Sequence, residues 1–225
     1  MTAIETVTFD SYSTLLDVDA VETALADAVE TPRPISQHWR SRSLMYTMVA
    51  NEIDAYDTFY AFNRAALEHA LETHGVDLSE AEREEILATY HDLRVFDDVQ
   101  EGMAALTEAG YHVYVVSNGN PEMLASLVDT AGIDEHVEDT ISADEVETYK
   151  PNAEIYRHAA ARTGTPIAEI AHVSAGFFDV LGAQHAGMTG IWLDRGKVPW
   201  DGFAGDPDAT VSDIRDVTEV IQKRG

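Results

Sequence analysis

The sequence predicts an α/β protein with a doubly wound parallel sheet and a second, helical domain inserted near its start. Three observations carry this expectation. Over residues 96–225, short β-branched runs alternate with amphipathic helical stretches, the pattern of strands laid side by side through crossover helices. Polar residues recur at the C-terminal end of each run. Residues 17–95 break the alternation and read as consecutive helices.

Taken in order, residues 5–9 (ETVTF) are short and β-branched, and lead through Asp10 into the turn-like SYST. That is a buried strand with a polar site at its end. Residues 18–29, 36–51, 55–74 and 79–93 follow with helical periodicity. They define an expected helical domain at 17–95, inserted into a core domain of 1–16 and 96–225. An insertion at this point is placed to close over the strand ends, where open α/β sheets bind their ligands. The core then resumes with helices expected at 101–109, 121–131, 152–163 and 178–186, each closed by glycine at or near its end (Gly110, Gly132, Gly164, Gly187). Between them lie four expected strands. The first, 111–116, ends at Ser117-Asn118-Gly119, and the second, 137–141, precedes a loop ending in Lys150-Pro151. The third, 170–173, runs into Ser174-Ala175-Gly176, and the fourth, 189–193, ends at Asp194.

Composition narrows the function. The 225 residues carry 41 acidic against 14 basic side chains, a formal charge of -27, which repels nucleic acid and anionic membrane alike. The acids are spread along the chain (AEREE, DEHVED, SADEVE), so they form a surface and not an acidic tail. Such a surface self-repels at low salt and is tolerated when salt screens it, which points to a high-salt cytoplasm. No apolar run has membrane-spanning length, and MTAIETVTFD shows neither a basic leader nor a cleavable apolar region; a soluble, cytoplasmic protein is expected. With no cysteine, disulfides and thiolate metal sites are excluded.

The chemistry is sought at the strand ends: Asp10 and Thr14, then Ser117 and Asn118, then Lys150, then Ser174 and Asp179. Singly, an Asp or Ser after a strand is a helix cap or turn former. Arg40 after Trp39 on a helix reads as a solvated or salt-bridged arginine, and Lys150 before proline as a turn residue. Tyr12, Phe59 and Phe178 read as core aromatics, and His172, on a buried strand, as a hydrogen-bonded core histidine. The remaining histidines show no metal-ligand spacing. Four polar positions converging on one sheet edge are a different matter.

Together, D-x-Y-x-T (Asp10, Tyr12, Thr14), S-N-G (Ser117 to Gly119), Y-K-P (Tyr149 to Pro151) and S-x-x-x-x-D (Ser174, Asp179) resemble the four motifs of the haloacid dehalogenase superfamily. The segment ISQHWRSRSLMYT (35–47) looks like the one by which L-2-haloacid dehalogenases supply an active-site arginine. The resemblance implies a Rossmann-like core with a helical cap, no cofactor or metal, a small 2-haloacid substrate and a homodimer. It implies Asp10 as covalent nucleophile, with Thr14, Arg40, Lys150, Ser174 and Asp179 as its catalytic partners. Ser11, Tyr12, Leu44, Phe59, Ser117, Asn118, Tyr156 and Phe178 would line or bind the substrate.

Physical reasoning separates dehalogenases from phosphatases of the superfamily. Phosphate-ester cleavage expels an alkoxide that needs a proton, and phosphatases place a second Asp two residues after the nucleophile; here that residue is Tyr12. A halide leaves unprotonated. Two positions depart from the dehalogenase pattern: Ser13 replaces a usual glycine, and Gly176 stands where the family places an asparagine or histidine to hold the hydrolytic water. A phosphatase-like hydrolase, or a non-catalytic protein that has lost its water site, are the rival readings.

Overall fold

The computed structural model describes residues 3–196 and 198–223; Met1 and Thr2, where the N-terminal reading begins, lie outside them, as do Lys197, Arg224 and Gly225. The first strand, β1 (Thr6–Phe9), is buried along its whole length, as a central parallel strand covered on both faces must be. Its two threonines find partners: Thr6 Oγ1 meets Thr165 Oγ1 at 2.7 Å and Thr8 Oγ1 meets His172 Nδ1 at 2.8 Å.

After β1 the chain leaves the sheet through a two-residue strand, β2 (Leu16–Asp17), and enters helices α1 (Ala20–Ala26), α2 (Pro32–Ile53), α3 (Phe59–Thr73) and α4 (Glu80–Ala88). It returns through β3 (Arg94–Val95), which pairs antiparallel with β2, Leu16 facing Val95 and Asp17 facing Arg94. Both ends of the helical segment therefore pass through one narrow stalk. Within it α2 packs on α3 around buried Ile35, Trp39, Ala66 and Leu67, and the Trp39 indole donates to the Asn63 carbonyl at 2.8 Å. A capping box at Ser79 and Glu82 starts α4, satisfying two orphan backbone donors.

The remaining chain alternates as expected: α5 (Val99–Glu108), β4 (His112–Ser117), α6 (Pro121–Ala131), β5 (Asp139–Ser142), α7 (Ala153–Thr163), β6 (Ile170–Ser174), α8 (Phe177–Ala186), β7 (Thr189–Leu193), β8 (Ala209–Val211) and α9 (Val217–Gln222). Six parallel strands lie in the order β5-β4-β1-β6-β7-β8. The strand β8, the β2/β3 pair and α9 are additions to the sequence reading, all too short to show periodicity. The chain builds outward from β1 to β4 and β5, then crosses to β6, β7 and β8, so β1 stands between the two halves. Such a switch point opens a crevice at the strand C-termini.

Candidate active site

Four loops meet over that crevice. The turn after β1 is held by the Ser11 carbonyl, which accepts from the amides of Thr14, Leu15 and Leu16 at 3.3, 2.8 and 3.1 Å. This tight turn puts Ser13 at φ 68, a left-handed conformation that explains why glycine is usual there. The serine gives something glycine lacks, because its Oγ accepts from Arg40 at 3.3 Å. The same turn swings Thr14 back onto Asp10: Thr14 Oγ1 accepts from the Ala175 amide at 2.9 Å and so directs its own proton to Asp10 Oδ2 at 2.8 Å.

Behind Asp10 lies a buried charge cluster. Lys150, 1% exposed, places Nζ 3.0 Å from Asp10 Oδ1 and 2.9 Å from Asp179 Oδ2. Tyr156 donates to Asp179 Oδ1 at 2.7 Å, and this closeness of α7 to α8 requires Gly182, where a Cβ would fall 2.6 Å from the Tyr156 hydroxyl. Burial pushes the Asp10 carboxyl above its ordinary value; the Lys150 ammonium opposes this without cancelling it, while Asp179 adds to it. Asp179 goes the other way: burial would raise it, but His172 and then Lys150 outweigh burial and hold it well below the usual carboxylate range. Burial would lower the Lys150 ammonium, but the two carboxylates prevail, so it stays protonated.

In front of Asp10 is a cavity of about 270 Å³, walled by Tyr12, Val18, Leu44, Phe59, Tyr90 and Phe178 among others. Tyr12 stacks on Phe59 at 6.0 Å and meets Tyr90 edge-on at 5.5 Å. Arg40 also lines the cavity, pinned by a 2.9 Å bridge to Asp19. Asn118 lines it too, with its Oδ1 accepting from the Lys150 amide at 2.9 Å. That leaves the Asn118 Nδ2 end as its free donor. An apolar chamber with a cationic fork, an amide donor and a carboxylate facing inward suits displacement of an anionic leaving group. Among the described residues, no group of three or more His, Asp or Glu is placed to hold a metal ion.

Of the residues singled out from sequence, Asp10, Tyr12, Arg40, Leu44, Phe59, Asn118, Lys150 and Phe178 meet at this cavity. Thr14, Asp179 and Tyr156 stand behind them in the hydrogen-bonded support. Ser11 and Ser117 are fully buried and engage each other at 2.6 Å, while Ser117 Oγ also accepts from the Gly119 amide. Ser174 Oγ accepts from the Gly176 amide at 3.1 Å. Several residues of the site escaped the sequence reading, four of them with a clear structural reason. Val18, Tyr90 and Asn63 reach the cavity only because the helical segment folds over. Arg195, just past β7, grips the Thr14 carbonyl at 2.6 Å and the buried Asp98 at 2.7 Å; its place after the Asp194 strand end was the available signal.

One more clasp joins the two layers. Asn51 on α2 donates to the Tyr149 carbonyl at 2.8 Å and accepts from the Tyr149 amide at 3.0 Å and the Thr148 hydroxyl at 3.1 Å. Tyr149 packs its ring against Phe59 and Phe62 and donates to the Asp57 carbonyl. The loop carrying Lys150 is thus tied to the helices above it. Lys150-Pro151 is a cis peptide.

A family model described as haloacid dehalogenase-like hydrolase matches residues 4–187. The chain is 32% identical over 198 residues to (S)-2-haloacid dehalogenase 4A of Burkholderia cepacia, covering 87% of this chain and 86% of that one. It is also 32% identical over 200 residues to (S)-2-haloacid dehalogenase 1 of Pseudomonas sp. (strain CBS-3), at 88% of each. The solved L-2-haloacid dehalogenase from Xanthobacter autotrophicus with chloropropionic acid covalently bound superposes with a TM-score of 0.91 at 27% identity, over 99% of this chain and 100% of that one.

Proposed function

The chain belongs to the haloacid dehalogenase-like hydrolase family, and on that premise we propose that it is an (S)-2-haloacid dehalogenase. It hydrolyses short L-2-haloalkanoic acids to (R)-2-hydroxy acids and halide through an aspartyl ester on Asp10. The observation that carries this reading is the Asp10 carboxylate itself, fixed by Lys150 and Thr14 and facing an apolar cavity with Arg40 in its wall.

Asp10 attacks C2 from the side opposite the halogen, forming a C–O bond as the carbon–halogen bond breaks and inverting the carbon. Arg40 and the Asn118 amide stabilise the departing halide, with Tyr12, Leu44, Phe59 and Phe178 excluding water around it. Backbone amides near Ser11 and Asn118, shaped by the Ser11–Ser117 pair, take the substrate carboxylate. Water then attacks the Asp10 carbonyl carbon, with Thr14, Ser174, Asp179 and Tyr156 ordering the ester and the water. Tyr12 supports this reading over a phosphatase, because the carboxylic general acid that phosphatases place there is absent and its phenol, raised above its ordinary pKa by burial, is a poorer general acid.

The helical segment at 17–95 acts as the cap domain over the 1–16 and 96–225 core, consistent with its single stalk. The apolar stripe Met45, Met48, Val49 and Ile53, 36–66% exposed along α2, supports a homodimer. The charge of -27 supports work in a salty cytoplasm; no helix among the described residues is long and apolar enough to cross a membrane. Purified protein in high salt without added metal should release halide from L-2-chloro- or L-2-bromopropionate. No release above an Asp10→Asn control, across short and longer 2-haloacids, rejects the assignment.

A further inference from the structure

The displacement at C2 makes no use of His172. This residue is fully buried on β6, with its ring edge-on to Tyr156 at 5.7 Å and Nδ1 anchored 2.8 Å from the Thr8 hydroxyl on β1. Among the described residues its Nε2 makes no hydrogen bond within standard geometry, yet it lies 3.0 Å from Asp179 Oδ2, well within ion-pair reach. That contact decides how Asp179 is used, because an ionised carboxylate has about four acceptor positions. Lys150 and His172 face Oδ2 and Tyr156 takes one position on Oδ1, leaving the last on Oδ1.

We propose that His172 is a positioning residue for hydrolysis of the Asp10 ester: by holding Oδ2 together with Lys150, it aims Asp179 Oδ1 at the attacking water. The chain needs such alignment because Gly176 has no side chain to hold that water, and a Cβ there would already press on the Phe178 ring at 3.1 Å. In the step itself, Asp179 takes one water proton as the water oxygen bonds to the Asp10 carbonyl carbon. The ester C–O bond then breaks, the departing alkoxide recovers the proton from Asp179, and the new Asp10 carboxyl loses its own proton to solvent. A carboxylate held as low as Asp179 abstracts the proton only as the new bond forms, so His172 contributes alignment and not basicity.

The inference rests on the dehalogenase reading, and rapid-quench kinetics with L-2-chloropropionate tests the two separately. Halide is measured in solution and the ester on Asp10 by intact mass. For His172→Phe the expected result is a stoichiometric halide burst at the wild-type rate, then turnover slowed on the order of 10²-fold, within the range of general-base contributions, with ester accumulating. His172→Gln, which restores an N–H donor, should recover most of the turnover, and Thr8→Val, which frees the ring, should give a smaller loss in the same direction. Burst and turnover falling together in His172→Phe, or no ester accumulating, overturns the proposal. Should His172→Phe fail to fold, ester hydrolysis in Thr8→Val unchanged from wild type overturns it equally. Wild-type protein that releases no halide sinks the dehalogenase reading itself, an outcome distinct from wild-type turnover with a silent His172.

Discussion

Lys150 places its ammonium 3.0 Å from Asp10 Oδ1 while only 1% of its side chain is exposed. It is the cation opposing the burial that pushes the Asp10 carboxyl above its ordinary value of 3.8. Since only the ionised carboxylate attacks carbon, the halide burst should rise with pH through an inflection above 3.8. Lys150→Met removes the opposing charge, so the inflection should move further up and the plateau fall by about 10²-fold or more. Burst rate against pH measures both; an inflection that stays or drops contradicts the assigned role.

The route of the oxygen atom checks the covalent intermediate. Single turnover in oxygen-18 water should leave label in the Asp10 carboxylate, because water attacks the ester at the enzyme's carbon. Label confined to the hydroxy acid would mean that water attacks C2 directly.

Asn51 bonds the loop before Lys150 through two backbone contacts and one hydroxyl. Asn51→Ala should therefore cost about 1.5–4.5 kcal/mol, at roughly 0.5–1.5 kcal/mol for each of the three net hydrogen bonds. It should also slow halide release by letting the lysine loop move relative to the helices. Denaturant unfolding and burst kinetics report the two effects; full activity with full stability would show the clasp to be idle.

With 41 acidic and 14 basic residues, the folded surface repels itself strongly at low ionic strength. Raising KCl from about 0.1 M to about 1 M shortens the screening length from about 10 Å to about 3 Å, and the melting temperature should rise steeply over that range. A flat or falling response would separate the acidic composition from any dependence on salt.

How much of this was legible beforehand differs by element. The strands at β1, β4, β5, β6 and β7 announced themselves through β-branched runs ending in polar residues, and α6 was bounded by its proline and the glycine that closes it. The strand β8 has three residues, one of them buried, too few for any period to register. Asp10, Lys150 and Asp179 were legible because each follows a recognisable strand or loop. Tyr90 was not, since nothing beside it in the chain marks it out, and Arg195 had only its place after the Asp194 strand end as a signal.

Sequence by itself determined the alternation of elements, the insertion of a helical segment after the first strand, and the set of polar residues at strand ends, because these depend on neighbours a few positions apart. Only tertiary structure decided which of those residues touch. Phe9 pairs with both Val115 and Val173, and that strand order brings loops more than a hundred residues apart over one carboxylate. The same order sets His172, one strand away from Thr8, against Asp179. A histidine on a buried strand looks alike in sequence whether it fills a core or steadies a reacting group, because the difference lies in what the opposite element places 3.0 Å away.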